Sequence, residues 1–533
     1  MPKRFYSLLL VLTLMLPNGF VQSQMLNDEV YKFIKTIDLV NSFYVDTVNR
    51  AELVDNAIIQ VLKQLDPHSV FISKDEVNEM NEPLEGSFNG VGIQFNILAD
   101  TIWVVSTIAG GPSEKVGIRA GDRLVSIDQQ NVAGIGIKNK DVFSKLRGKK
   151  GTKVNIVVKR QGTKELLDFV VTRDKIPIYS IDASYMVSSN TGYIKLSRFA
   201  ATTMNEYREQ VKKLKDSKAE NLILDLTGNG GGYLNIAVDL ADEFLDGDKL
   251  VVYTEGSKKA RENFSSSRQG NFEKGKVVIM VDEGSASASE SVSGAIQDWD
   301  RGLIVGRRSF GKGFVQRQFA FNDGSMMRLT VARYYTPTGR CIQKPYEEGV
   351  DNYHKDLEKR YKHGELSNLD SIRFPDSLLY YTLNSKRTVF GGGGIMPDIF
   401  VPIDTSYFSP YLQKLTRKGL IYNFMMEYTD KNRQELERRY KGNFSNYLAD
   451  FKVDDAMLAQ LVEYAKKEKV EPDSLGMAQS KEYIAVYMKG LVARNLWTSN
   501  EYFQIVNMLD PIYRKALDVI LSENYFKLIS TRK

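Results

Sequence analysis

Apolar residues near the start of the chain recur at helical spacing and then give way to the short runs typical of β-strands. Val30, Phe33 and Ile34 follow one face of a helix. From about residue 84, strand-like runs are separated by glycine-rich turns. We therefore predict a helical domain over residues 25–83 and an inserted β-rich domain over residues 84–173.

The central part of the chain alternates strands with helices. Three apolar strand-like runs are each followed by a predicted helix, and a β-hairpin turned by an Asn-Asp-Gly sequence comes next. The predicted helices span residues 203–215, 233–245 and 290–299. This order predicts an α/β core with a mixed sheet and helices over residues 174–405. The charged, Tyr-rich remainder, residues 406–533, has helical spacing and predicts a helical C-terminal domain.

The first 24 residues have the pattern of a secretory signal peptide. Lys3 and Arg4 precede an apolar run that ends before a Pro-Asn-Gly break, and Ser23 stands at a plausible cleavage point. The apolar run is shorter than the roughly 20 residues of a membrane span. We expect residues 1–24 to direct export to the periplasm or cell envelope. An uncleaved anchor is the alternative.

Composition narrows the chemistry. The 533 residues carry a net charge of +6 with the two signs interspersed, which does not suggest a nucleic-acid partner. There are three histidines and one cysteine, Cys341, so neither an internal disulfide nor a zinc cluster is expected. If the protein performs nucleophilic chemistry, a residue other than histidine is expected to be the base.

Two resemblances to known motifs fail on local grounds. The segment Gly306 to Gly313 differs from a phosphate-binding loop at one position. Gly313 stands where the Ser/Thr that binds magnesium is required, and the segment leads into a strand. Its Ser309-x-x-Lys312 spacing also matches penicillin-binding enzymes, but its glycines disfavour a helix and no K-T-G motif follows. Nucleotide binding and cell-wall transpeptidation are therefore disfavoured.

Two other glycine-rich turns could support catalysis. One, Gly228 to Gly232, joins a predicted strand to a helix, where backbone N–H groups attract anions; a simple tight turn is the alternative. The other contains Ser285, Ser287 and Ser289 before a helix that begins near Glu290. A serine there is an exposed candidate nucleophile, although such serines more often cap helices.

Lysine can activate a serine when burial lowers its pKa. Lys312 lies between two glycines with phenylalanines close by, and Gln316 is four residues further along a predicted strand. The amide of Gln316 could orient the lysine without adding charge. A solvated lysine at the strand edge is the alternative interpretation.

These residues resemble the carboxyl-terminal processing peptidases, also called tail-specific proteases. Lys312 follows Ser287 by 25 positions and Gln316 follows Lys312 by four, as in that family's catalytic group. The LDPHS sequence at residues 65–69 and the DLTGNGGG sequence at residues 225–232 are also family-like. The resemblance covers roughly residues 30–405.

The resemblance implies a serine endopeptidase that processes proteins at or near their C-terminus. It assigns Ser287 as nucleophile, Lys312 as general base and Gln316 as its partner. The backbone amides of Gly231 and Ala288 would form the oxyanion hole. Thr227 replaces the usual arginine, which puts in doubt a salt bridge from its strand. No metal or other cofactor is implied.

The resemblance also implies that the β-rich module is a PDZ domain that captures substrate C-termini. Gly90, Val91, Gly92 and Ile93 fit its carboxylate-binding loop. The expected partners are protein or peptide substrates with free, apolar C-termini. A homo-oligomer, an adaptor protein, and loose association with a membrane or cell wall stay open. The alternative function is a catalytically idle PDZ scaffold that binds C-termini in the envelope.

Overall fold

A computed structural model describes residues 27–98 and 100–530, so the predicted signal peptide lies outside the described residues. The chain divides into two compact units, residues 1–64 and 65–533. In the first unit, two helices begin at asparagine caps, with Asn27 Oδ1 accepting a hydrogen bond from Val30 N at 3.0 Å. The helices are α1 (Asp28–Phe43) and α2 (Arg50–Lys63).

The second unit begins with a short strand and a helix, followed by the β-rich module. Alternate strand residues such as Ile102, Val104 and Leu124 are fully buried in the core of this module. The elements are β1 (Val70–Ile72), α3 (Lys74–Glu85), β2 (Ser87–Gly90), β3 (Ile93–Leu98), β4 (Thr101–Thr107), α4 (Pro112–Lys115), β5 (Arg123–Ile127), β6 (Gln130–Asn131), α5 (Asn139–Leu146), β7 (Lys153–Lys159), β8 (Leu167–Thr172) and β9 (Asp174–Pro177).

The alternation of strands and helices predicted for the core is confirmed, and the structure adds several strands and two short helices, residues 350–354 and 356–362, that the sequence pattern did not predict. The elements are β10 (Ile181–Met186), β11 (Thr191–Leu196), α6 (Thr203–Asp216), β12 (Asn221–Asp225), α7 (Leu234–Asp242), β13 (Leu250–Gly256), β14 (Lys259–Ser265), β15 (Val277–Val281), α8 (Ala288–Asp298), β16 (Leu303–Gly306), β17 (Phe314–Ala320), β18 (Met326–Tyr335), α9 (Val350–His354), α10 (Asp356–Lys362), β19 (Leu379–Tyr381), β20 (Thr388–Phe390) and β21 (Ile399–Phe400).

Two sheets of the core position the site. A six-stranded sheet has the order β10-β11-β12-β15-β16-β21, and every neighbouring pair except β10 and β11 is parallel. A five-stranded antiparallel sheet has the order β1-β18-β13-β14, with β17 also paired to β18. The glycine turn (residues 228–232) follows β12, the serine turn (residues 284–289) follows β15, and the lysine segment (residues 307–313) follows β16. Because these strands are parallel neighbours, their carboxyl ends meet at one edge of the sheet.

Both faces of the six-stranded sheet are covered, as a largely parallel sheet requires. Alternate residues of β15 belong to different clusters: Ile279 packs with α6, α7 and α8, whereas Met280 packs with the C-terminal helix that contains Val519. The helices after the core are α11 (Pro410–Arg417), α12 (Leu420–Tyr440), α13 (Phe444–Asp450), α14 (Asp455–Lys467), α15 (Ser474–Leu496), α16 (Ser499–Val506), α17 (Pro511–Leu521) and α18 (Tyr525–Ser530).

The C-terminal region thus contributes to two different cores. Helices α11 to α16 supply a separate apolar cluster, while α17 and α18 cover the face of the sheet that bears Tyr193 and Ile223. The predicted domain boundaries stay predictions. Within the described residues, no helix is both long enough and apolar enough to cross a membrane.

Candidate active site

Ser287 stands in a strained turn between β15 and α8. Its φ of 56° and ψ of −112° lie outside the usual regions for a residue with a side chain, and such strain is concentrated at functional sites. Ala286 and Ala288 on either side are buried, whereas Ser287 is half-buried and lines a cavity of about 480 Å³. The turn therefore presents the Ser287 side chain to a cavity of the size that ligands occupy.

Glu290 joins the serine turn to the lysine segment. This fully buried carboxylate accepts hydrogen bonds from the backbone N–H groups of Ser287 at 2.8 Å, Gly311 at 2.7 Å and Lys312 at 2.9 Å. It also accepts one from Ser309 Oγ at 2.5 Å. Burial raises the pKa of Glu290, while these four donors favour its charged form. Glu290 caps helix α8, and it also fixes the position of the segment that carries Lys312.

Lys312, the predicted base, is half-buried and hydrogen-bonded at its side-chain amine. Its Nζ donates a hydrogen bond to Gln316 Oε1 at 3.2 Å. Burial, and next the positive charge of Arg328, lower the pKa of Lys312 against a smaller opposing effect of Glu290 and Asp66. A neutral amine near neutral pH is therefore easier to reach than on an exposed lysine. Ser287 and Lys312, both of which the structure describes, line the same cavity without a direct hydrogen bond between Oγ and Nζ.

The orientation of Gln316 depends on a segment far away in the sequence. Gln316 Nε2 donates to the backbone carbonyl of His68 at 3.0 Å, which directs the amide oxygen to Lys312. The His68 ring is hydrogen-bonded to Tyr353 Oη at 2.8 Å. Burial, with a contribution from the charge of Lys312, lowers the pKa of His68 to about 4. The LDPHS sequence thus contributes a backbone acceptor to the site, a role that sequence reasoning missed.

The glycine turn after β12 lies directly against Ser287, the predicted nucleophile. A Cβ on Gly231, which has φ of +100°, would lie 2.8 Å from Ser287 Cβ and 3.0 Å from Ala288 N. Only glycine fits this contact. Ala288 is the first residue of α8, so its N–H has no acceptor within the helix and can serve an oxyanion.

The second predicted oxyanion donor is engaged in this structure. Gly231 N–H donates to the side-chain oxygen of Asn229 at 2.9 Å, and Asn229 is itself fully buried and donates to Leu196 O. The geometry therefore offers Ala288 N–H alone of the predicted pair. Gly231 stays a predicted donor whose use requires a substrate oxygen to replace the side chain of Asn229.

Lys195 provides a positive charge beside Asp225, where Thr227 takes the place of the arginine that the resemblance leads one to expect. Its Nζ lies 3.0 Å from Asp225 Oδ2 and 3.1 Å from Thr227 Oγ1, at the end of the strand that leads into the glycine turn. Lys195 stands opposite Asp225 in the register of β11 and β12. The salt bridge placed in doubt by Thr227 is thus made from the neighbouring strand, and only the sheet register could have revealed it.

The predicted carboxylate-binding loop connects β2 to β3. Gly90 ends β2, Ile93 begins β3, and Gly92 has φ of +76°. The carbonyls of Val91 and Gly92 accept hydrogen bonds from Ser113 and Ile108, but the N–H groups of Val91 and Gly92 donate to none of the described residues. Two unpaired successive amides are what a peptide carboxylate requires.

The segment Gly306 to Gly313 serves a different purpose from a phosphate loop. It connects β16 to β17 and opens no helix in the described part of the chain. Ser309 Oγ donates to Glu290, and Arg360 donates to the backbone carbonyls of Arg308 and Ser309. The structure agrees with the dismissal of both motifs on this segment.

Comparisons with known proteins identify the families to which parts of this chain are similar. Family models match at residues 190–352 (Peptidase family S41), 103–160 (PDZ domain) and 411–498 (Family of unknown function, DUF8443). The carboxy-terminal-processing protease of Bartonella bacilliformis is 33% identical over 320 residues, which cover 59% of this chain and 73% of that protein. The carboxy-terminal processing protease CtpB of Bacillus subtilis is 32% identical over 319 residues, which cover 59% of this chain and 65% of that protein.

Among solved structures, the photosystem II D1 C-terminal processing protease aligns with 60% of this chain and 91% of its own, at 28% identity and a TM-score of 0.34.

Proposed function

The chain belongs to the carboxy-terminal processing proteases of peptidase family S41, and from that premise we propose that it is an exported serine endopeptidase with a Ser287–Lys312 catalytic pair. The observation that carries the proposal is the joint placement of the two residues. Both line one cavity, and Glu290 binds the backbone of each. A serine in a strained turn that shares a cavity with a desolvated lysine suits a lysine-activated serine nucleophile.

The chemical steps follow from this geometry. Neutral Lys312 takes the proton of Ser287 Oγ as that oxygen attacks the scissile carbonyl. Ala288 N–H stabilises the resulting oxyanion, a contribution of roughly 3–4 kcal/mol for one such donor. Lys312 then protonates the leaving amine. Neutral Lys312 then takes a proton from water, which attacks the acyl-enzyme, and the protonated Lys312 returns that proton to Ser287 Oγ as the ester bond breaks.

Gly231 completes the oxyanion hole in this proposal. Its N–H exchanges the Asn229 oxygen for the substrate oxyanion, a substitution favoured because a charged acceptor binds an N–H more strongly than an amide does. The resting turn and the turn bound to the transition state therefore differ in one hydrogen bond.

The PDZ module recruits the substrate. The free N–H groups of Val91 and Gly92 would hold the terminal carboxylate while the tail pairs with β3. Phe95 on β3 and Phe143 on α5 lie with ring centroids 5.3 Å apart, and they offer an apolar surface to the side chains of the tail. An apolar tail with a free carboxylate is the expected ligand.

Residues 1–24 have the pattern of a signal peptide, and we propose that they direct the enzyme to the cell envelope. Fractionation of cells expressing the tagged full chain, with and without residues 1–24, tests this. Loss of envelope localisation only in the truncated chain is the expected result.

The test of the activity uses a tagged protein that ends in apolar residues. Wild-type protein should cleave it, and Ser287→Ala and Lys312→Met should not. Amidation of the substrate tail, or Phe143→Ser, should raise KM, whereas Phe321→Ser, a similarly exposed phenylalanine outside the module, should not. Equal cleavage by wild type and Ser287→Ala would contradict the assignment. Binding without cleavage by folded wild-type protein would indicate the idle scaffold instead.

A further inference from the structure

Arg328 lines the active-site cavity and has no counter-ion among the residues that the structure describes. It lies on β18, opposite Gln318 of β17 and Val70 of β1, and it lines the same cavity as Ser287 and Lys312. Its Nη2 atom is buried and forms no hydrogen bond with any described residue. Burial lowers the pKa of Arg328, which reports the cost of holding this charge away from water.

The cavity offers no acidic group to balance this charge. Its charged lining residues are Lys312, Arg317 and Arg328, and no aspartate or glutamate is among the described residues that line it. Arg317 is exposed, and its guanidinium lies over the ring of Phe319, 5.3 Å from the centroid. Apart from Lys312, Arg328 is therefore the lining residue whose positive charge is available to bind a molecule in the cavity.

Other arginines of the same core that are largely buried have an acidic partner. Arg308 and Arg360 also have an unpaired Nε atom, but both form an ion pair with Glu365, at 2.6 Å and 3.7 Å. Buried charges are normally paired, because an uncompensated one costs several kcal/mol. A guanidinium with a free donor in a substrate cavity therefore has the chemistry of a carboxylate-binding residue.

We propose that Arg328 is a specificity-determining residue that binds a carboxylate of the substrate close to the scissile bond. The proposal rests on the serine-peptidase function above and adds a substrate class to it. Two sources share this chemistry: the side chain of an Asp or Glu near the cleavage site, and the α-carboxylate of a tail that ends within a few residues of it.

Two peptide series separate the sources. In the first, every peptide is amidated at its C-terminus, and Glu or Gln is placed in turn at each of the three positions on either side of the cleaved bond. In the second, uncharged peptides end one to four residues after the cleaved bond as the free acid or the amide. Each pair is measured as kcat/KM with wild type, Arg328→Gln, Arg328→Lys and Arg333→Gln. Arg333, exposed on the same strand and outside the cavity, is the matched control.

In at least one of the two series, the kcat/KM of wild type should be about tenfold or more higher for the carboxylate peptide than for its neutral partner, the size expected for a charge-assisted hydrogen bond. Arg328→Gln should reduce that preference to about twofold or less, a value set by the same principle. Arg328→Lys should keep part of it, and Arg333→Gln all of it. In the second series, any preference that the PDZ module adds for a free acid is common to the four enzymes, so each variant's preference is divided by that of wild type before the enzymes are compared.

Cleavage of the neutral peptides by Arg328→Gln shows that the variant is folded and active. An unchanged carboxylate preference in that variant, or no preference in wild type in either series, overturns the inference and leaves the proposed function intact. A change in pH dependence alone, with no change in preference, also overturns it, since Arg328 would then act only on Lys312. Absence of any cleavage by wild type would instead count against the proposed function.

Discussion

Ser287 and Lys312 both lie in connections at the edge of the six-stranded sheet, but only Lys312 leads into the second sheet, and the two connections are held differently. Ser287 follows β15, whose five residues are all buried between covered faces of the six-stranded sheet. Lys312 precedes β17, which is exposed along much of its length and pairs with β18 alone. The strained turn of Ser287, the proposed nucleophile, is thus fixed by a dense core. Lys312, the proposed base, instead depends on hydrogen bonds that it donates to Glu290 and Gln316, and Gln316 in turn donates to His68 O. We infer that the position of the base is the adjustable part of the catalytic pair.

Glu290 contacts both the serine turn and the segment that carries Lys312, so replacing it should reduce activity more than replacing Gln316. In Glu290→Gln an N–H₂ group must face at least one of the backbone donors of Ser287, Gly311 and Lys312. Buried hydrogen bonds to a charged group contribute about 1.5–3 kcal/mol each, so kcat/KM should fall by about a hundredfold or more. Urea unfolding should also show a loss of stability. Glu283→Gln, in the same turn and paired with Arg307 at 2.7 Å, is the control and should keep most of the activity.

The next change concerns the base alone. Gln316→Ala removes the acceptor of Lys312 Nζ and the link to His68 O, so kcat should fall by about tenfold, the value of one lost orienting hydrogen bond, with little change in KM. Gln318→Ala, two residues along the strand and hydrogen-bonded to Asn81 at 3.0 Å, should leave kcat unchanged. Equal losses in the two variants would mean that the strand, rather than the Gln316 amide, matters.

Gln316→Glu tests whether the residue beside Lys312 must be uncharged. A carboxylate beside Lys312 favours the protonated amine and so raises the pKa of Lys312. The acid limb of the kcat/KM profile should move to higher pH, although the acceptor geometry is retained. An unmoved limb would mean that this limb does not report Lys312.

The smallest expected effect is on stability in acid. The folded-state pKa of His68, about 4, lies below its ordinary value of 6.5, so the unfolded chain binds the proton more readily. Stability linked to His68 is complete above about pH 6.5 and is lost as the pH falls toward 4. Between pH 7 and pH 5, wild type should lose about 1–2 kcal/mol more than His68→Gln in urea unfolding. His363→Gln, at an exposed histidine, should behave like wild type; a loss in His68→Gln equal to that of wild type would contradict the account.

The two regions also differ in how far sequence predicts them. Ser287, Lys312 and Gln316 were candidates because the serine turn and the start of the hairpin are local structures with their own sequence signals. Their catalytic roles were implied by the resemblance to the processing peptidases. The helices at residues 203–215 and 290–299 were placed within two residues of their observed bounds for the same reason. Local sequence does not encode the partner of Gln316, which is His68 O, 248 positions away.

Other contributions depend on register or on the surroundings of a side chain. Lys195 replaces the arginine expected at Thr227 only because β11 and β12 align it with Asp225. Arg328 becomes informative only when the cavity around it is seen to contain no carboxylate. The Asn229 contact of Gly231 depends on a side-chain orientation that no spacing specifies.

The central claim is that neutral Lys312 activates Ser287. A serine-directed fluorophosphonate, followed by peptide mapping of the labelled protein over a range of pH, measures this directly. Wild type should be labelled at Ser287, with a rate that rises as a single group titrates below 10.5, the ordinary pKa of lysine, because the pKa of Lys312 is lowered. Lys312→Met, shown to be folded, should be labelled slowly and without this pH dependence. Labelling at another serine, or an unchanged rate and pH profile in Lys312→Met, would contradict the account.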